Sequence, residues 1–180
     1  GYAVIFLMLE HENGMQQASF AIDAEGKVAS LNLAPVPQKM NVTPLPLPEG
    51  ATEEAIALRP GADDETDGML VLPAGEGPFT VAVLIHGSGA SDMDETAYGV
   101  KPFRDLAMGL AENGIGTLRY DKYTYAHGAT LGEDRTIAQE YEADVKAAIA
   151  LLTEDARGSS IRLIGHSEGG VLIPRRLHIA

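Results

Sequence analysis

The stretch Ile161–Gly170, IRLIGHSEGG, decides how the rest of the chain is read. Ile161, Leu163 and Ile164 make a short β-prone run of the kind that is buried in a sheet. Gly165-His166-Ser167-Glu168-Gly169 then sets a serine midway between two glycines, and Gly170, Val171, Leu172 and Ile173 can begin a buried helix. A serine hydroxyl is a poor nucleophile until a base takes its proton, so a reactive serine must be held exposed and within reach of one. A sharp bend between strand and helix exposes it, and glycine two residues to either side lets the two elements pack closely. The bare pattern arises easily by chance in a chain with 20 glycines, and then marks only a turn with an incidental serine. The strand before it and the apolar helix after it supply the context that the chemistry needs.

A second glycine-rich loop lies upstream, in VAVLIHGSGASDMDET (residues 81–96), where a strand over Val81–Ile85 ends in His86-Gly87-Ser88-Gly89. Acyl transfer develops negative charge on a carbonyl oxygen and needs donors aimed at it. Backbone amides of Ser88 (or Gly89) and of Glu168, the residue after the candidate nucleophile, would form such an oxyanion hole. A dinucleotide loop is the rival reading. It is weakened because Gly87-x-Gly89 lacks a third glycine and the segment beginning at Ala90 does not open as a helix.

Outward from these loops the pattern is one of strands alternating with helices, which predicts a mostly parallel sheet covered on both faces. Strands are expected at Ala55–Leu58, Met69–Leu72, Val81–Ile85, Gly116–Tyr120 and Ile161–Ile164. One helix is predicted over Pro102–Asn113, with Phe103, Leu106, Ala107 and Leu110 on one face and Gly114 as its cap. A second opens at Thr136, three residues before Gln139, a capping-box spacing, and buries Ile137, Tyr141, Val145, Ala148 and Leu152. Residues 2–33 read instead as three strands. Asn13-Gly14 and Asp23–Gly26 supply the turns, and the strands look like the end of a small module whose beginning lies elsewhere. Five prolines between Pro35 and Gly50, including TPLPLPEG, predict an extended connector. The expected domains are therefore 1–42, a linker at 43–50 and 51–180.

Composition narrows the function. A net charge of −13 repels phosphate backbones and anionic lipid, which argues against nucleic acid and membrane surfaces as partners. The apolar run at Tyr2–Leu9 is far shorter than the ~20 residues of a membrane span. The absence of cysteine removes disulfides, zinc thiolates and cysteine nucleophiles but leaves the compartment open. The acidic run at 62–67 reads as a solvated loop.

The loop HGSG followed by DMDET, then KPFRDLAMGLAENGIGTLRYDKYTY (residues 101–125), then GHSEGG, resembles in order the bacterial α/β-hydrolase esterases of the dienelactone-hydrolase-like group, over residues 51–180. The resemblance implies Ser167 as nucleophile, the amides of Ser88 and Glu168 as oxyanion hole and a small-molecule ester as substrate; no cofactor or metal is expected. Residues 2–33 also resemble the end of a small module found ahead of such esterases. In that family an acid and then a histidine come after the nucleophile, and the expectation is that this chain, ending at Ala180, lacks both and is not by itself a competent esterase.

The remaining histidines and acids carry blander expectations. His166 is expected to turn toward the sheet, His86 to be buried near the oxyanion loop, His127 to sit in an exposed loop, and His178 to be a doubtful base. Asp92, Asp94 and Glu95 read as loop and helix caps rather than metal ligands, and Asp121 with Lys122 as a structural ion pair. A non-catalytic binding protein, an acyltransferase and a thioesterase remain as alternatives, since they share the fold and the last two share the serine.

Overall fold

The computed structural model describes residues 3–12, 14–36, 42–128 and 136–176. They fall into two compact units, Gly1–Met40 and Asn41–Ala180. The first unit is an antiparallel meander of β1 (Ala3–His11), β2 (Gly14–Ile22) and β3 (Val28–Pro35). Its first hairpin pairs His11 with Gly14, so Gly14 ends a strand rather than centring the turn, and Asn13 lies outside the described residues. The second turn is closed by Asp23, whose side chain accepts from the Glu25 and Lys27 amides at 3.1 and 2.8 Å.

The second unit is built on a five-stranded sheet. It uses β4 (Thr52–Leu58), β5 (Thr66–Leu72), β6 (Phe79–Ile85), β7 (Ile115–Tyr120) and β8 (Gly158–Gly165), in the order β4-β5-β7-β6-β8. The β4–β5 and β5–β7 pairs are antiparallel, while β7–β6 and β6–β8 are parallel. The parallel part thus centres on β6, and β8 is the edge strand on that side among the described residues.

Alternation along β6 assigns its side chains to two faces. Val81, Val83 and Ile85 join a cluster with Tyr141 and with Val145, Ala148 and Leu152 of the helix over Ala143–Glu154, while Ala82 and Leu84 face Phe103 of the helix over Pro102–Glu112. That first helix, α1 (Pro102–Glu112), has proline in its opening turn and is followed by Gly114 at φ 79°, the left-handed position that glycine fills at helix ends. Its buried residues are Phe103, Ala107, Met108 and Ala111, and Leu106 is exposed, so the buried face is rotated from the expected one.

A short helix, α2 (Tyr123–Ala126), not foreseen from sequence, comes after β7. The long helix α3 (Ala143–Glu154) is entered through a π-helical turn, Ala138–Glu142. The capping box is formed: Gln139 Oε1 accepts from the Thr136 amide at 2.9 Å and Thr136 Oγ1 from the Gln139 amide at 3.3 Å. The last element, α4 (Glu168–Arg176), starts one residue after Ser167. Among the described residues no helix is long and apolar enough to cross a membrane.

Candidate active site

Strand β8 turns into α4 through His166 and Ser167, and the turn is tight because two glycines leave out their side chains. A Cβ at Gly165 would overlap the Gly170 nitrogen and lie 2.5 Å from the Gly169 carbonyl carbon. One at Gly169 would lie 2.5 Å from the His86 carbonyl oxygen and 2.6 Å from that of Ile85. The helix therefore rests directly on the backbones of β8 and β6. Closing this bend puts Ser167 at φ 49°, the left-handed region that a residue with a Cβ occupies at a cost of order 1–2 kcal/mol. Its side chain is exposed, and among the described residues its hydroxyl has no hydrogen-bond partner.

The loop after β6 faces this turn. Ser88 and Ser167 line one cavity of about 250 Å³, together with Gly87, Ser91, Glu95, Thr96, Ala97, Pro102 and His166. Glu95, itself at φ 53°, forms part of the wall. Its Oε1 accepts from the Gly87 amide at 2.8 Å and lies 3.0 Å from His166 Nδ1. A Cβ on Gly87 would stand 3.0 Å from His166 Nδ1 and 3.3 Å from the Ser167 Cβ, so loop and turn approach closely here too.

Beneath the loop lies a buried cation. Lys122, 1% exposed, donates from Nζ to the carbonyl oxygens of Gly87 at 2.8 Å and Gly89 at 2.9 Å. The same Nζ lies 2.7 Å from Tyr141 Oη and 2.6 Å from Glu140 Oε1. The Tyr141 hydroxyl in turn is 2.8 Å from both the Gly87 carbonyl oxygen and Glu168 Oε2. Burial, and then the hydrogen bond to Glu168, push the Tyr141 phenol well above its usual range, so it remains a neutral donor.

Carboxylates fix the rest of the loop. Asp94 accepts from Arg119 Nε at 2.9 Å and from Lys101 Nζ at 2.7 Å; burial opposes its charge, but these two cations hold its carboxyl below the usual range. Asp92 accepts from the Thr96 amide and Asp121 from the Met93 amide. Burial raises Asp121. These acids are committed to separate partners, and among the described residues no group of three or more His, Asp or Glu side chains could hold a metal ion.

No family model matches the chain. Over 173 residues it is 34% identical to the esterase EstD of Thermotoga maritima, a match that covers 96% of this chain and 41% of that protein. The chain thus spans about 41% of the length of the curated relative it matches. Among solved structures, dienelactone hydrolase from Anabaena variabilis superposes with a TM-score of 0.51 at 22% identity, over 67% of this chain and 54% of the other. An esterase of Pyrococcus furiosus gives 0.51 at 19% identity, over 72% and 48%. The fold is that of the α/β-hydrolases.

Within this α/β-hydrolase fold the expected site residues divide. Ser167 and Ser88 line one cavity, and Glu168, next after Ser167, opens α4. His86 is fully buried between Phe103 and Tyr120, with Nε2 3.1 Å from the Asp92 carbonyl oxygen. His166 departs from its expected packing role: its side chain is 62% exposed and lies at the cavity beside Glu95, because the turn that lifts Ser167 lifts its neighbour as well. His127 is half-buried rather than exposed, with Nε2 2.8 Å from the Glu65 carbonyl oxygen. His178 lies outside the described residues. Asp121 and Lys122 do not pair with each other; Lys122 pairs with Glu140, and Asp94 is a buried ion-pair hub rather than a cap. Sequence reasoning missed the places of Lys122 and Tyr141 at this site. Their only signal is a lysine at the end of a buried strand and a tyrosine on a buried helix stripe.

The geometry has two measurable outcomes. Gly165→Ala and Gly169→Ala should each lower stability by about 3 kcal/mol or more, since their clashes are with backbone. Gly109→Ala, in α1 with open space around it, should raise stability by ~0.5–1 kcal/mol; urea midpoints that fail to separate the two classes would contradict the close packing. The second outcome concerns His86, which burial pulls from 6.5 down to about 4. The unfolded chain takes up this proton first, so the contribution of neutral His86 is complete above pH 6.5 and is lost as pH falls toward 4, by about 3 kcal/mol in all. His86→Gln should flatten this part of the stability profile, and parallel profiles would contradict it.

Proposed function

We propose that this chain carries the nucleophile and oxyanion-binding half of a serine hydrolase that acts on carboxylic esters. The observation that carries the reading is Ser167 held at φ 49° on the β8–α4 turn, in one cavity with the Ser88 loop. The esterase name of the Thermotoga maritima relative supports the substrate class. In this reading an ester enters the cavity and Ser167 Oγ attacks its carbonyl carbon. The carbonyl oxygen gains the negative charge and is met by two amides.

One amide is that of Glu168, in the first turn of α4, where unpaired N–H groups and the helix dipole favour an anion. The other is that of Ser88. The alcohol then leaves with a proton, and water cleaves the acyl-Ser167 ester to release the acid and free serine. The proton is moved by a histidine steadied by an acid, both supplied from outside the described residues in the chain order typical of this fold.

In the full-length protein, Ser167→Ala should reduce turnover of a short-chain 4-nitrophenyl ester by about 10⁴-fold or more. Ser88→Ala should keep most of it, since only the backbone of Ser88 takes part. Equal losses in the two variants would contradict these roles.

A further inference from the structure

We propose that Lys122 and Tyr141 are positioning residues for the oxyanion hole, acting through the carbonyl of Gly87 and the side chain of Glu168. The inference rests on the oxyanion-binding roles proposed for Ser88 and Glu168. In a planar trans peptide the C=O and the N–H of the next residue point in opposite directions. The carbonyl of Gly87 accepts from Lys122 Nζ at 2.8 Å and lies 2.8 Å from the Tyr141 hydroxyl oxygen, both under the loop. Holding that oxygen down turns the Ser88 N–H up, toward the cavity that Ser88 and Ser167 share. The Gly89 carbonyl, drawn to the same Nζ at 2.9 Å and to Thr124 Oγ1 at 3.4 Å, fixes the far side of the loop.

The second amide is tied to the same point. Tyr141 Oη lies 2.8 Å from Glu168 Oε2 as well as from the Gly87 oxygen, so its single proton is shared between the residue that carries one donor and the peptide that carries the other. Four acceptors surround the three protons of the Lys122 ammonium, and Glu140, at 2.6 Å, balances its charge. A buried ammonium is expensive without such partners, and a methionine would fill the same space with none of these bonds. What the charge adds is two fixed loop carbonyls, those of Gly87 and Gly89. The hole is thereby ordered before substrate arrives, which is the condition under which such donors lower a barrier.

The test uses the full-length protein and two variants. The charge-balanced pair Lys122→Met/Glu140→Gln removes the ammonium without leaving a buried carboxylate, and Tyr141→Phe removes one oxygen with no change in charge. With 4-nitrophenyl acetate, kcat should fall by roughly 10–100-fold in the pair and about fivefold in Tyr141→Phe, while KM stays within about threefold. Affinity for a trifluoromethyl ketone, whose adduct places an oxyanion in the hole, should weaken by the same factors as kcat/KM. A variant that merely loses stability would not show this parallel. If the pair fails to fold, Tyr141→Phe alone decides. Folded variants whose kcat and inhibitor affinity stay within about threefold of the parent would overturn the proposal while leaving the role of Ser167 intact. Retained turnover in Ser167→Ala would instead remove the reading on which it rests.

Discussion

Helix α4 lies against the carbonyl oxygens of Ile85 and His86 with no side chain between, and everything at the site depends on that contact. Gly169 makes it possible on the side of β6, and Gly165 on the side of β8. Because the helix begins so close to the end of its own strand, the chain has two residues, His166 and Ser167, in which to reverse, and Ser167 absorbs the strain at φ 49°. Such strain persists only where the surroundings over-determine it. Here they are the seven-residue register between β6 and β8, running from Phe79–Gly158 to Ile85–Gly165, and the bond from the His166 amide to the Ile85 carbonyl at 2.9 Å.

The same contact brings the turn against the loop after β6, which has little apolar content and is held by charge. From below, Lys122 and Tyr141 take its carbonyl oxygens. From the side, Glu95 takes the Gly87 amide, and Asp94 is gripped between Arg119 of β7 and Lys101 before α1. Arg119 also reaches Glu53 of β4 at 2.6 Å, so the loop is linked to the antiparallel part of the sheet. Breaking a buried pair of this kind leaves an uncompensated charge, which is why a polar loop can be rigid without a hydrophobic anchor.

Much of this was legible in the sequence because it rests on local rules. Gly-x-Ser-x-Gly after an apolar strand specifies the turn, the capping box at Thr136 and Gln139 forms as the spacing predicts, and the buried stripe Tyr141–Val145–Ala148–Leu152 keeps helical period. What escaped depends on contacts distant in the chain. Lys122 meets Gly87 across 35 residues, and Tyr141 meets it across 54, and neither separation leaves a mark on local pattern. The orientation of His166 escaped for another reason: the residue before a strained serine turns with it, which alternation along a strand does not anticipate. The rotated face of α1 came from Met108 and Ala111, which fill the core beside Val71 where Leu106 had been expected.

The central claim is that the strained turn makes one serine reactive. It is tested most directly by treating the folded full-length protein with a fluorophosphonate and locating the phosphonylated residue by peptide mass spectrometry. The account predicts a single adduct, on Ser167. An adduct on Ser88 or Ser91, the other serines of the cavity, or none on a protein shown to be folded, would contradict it.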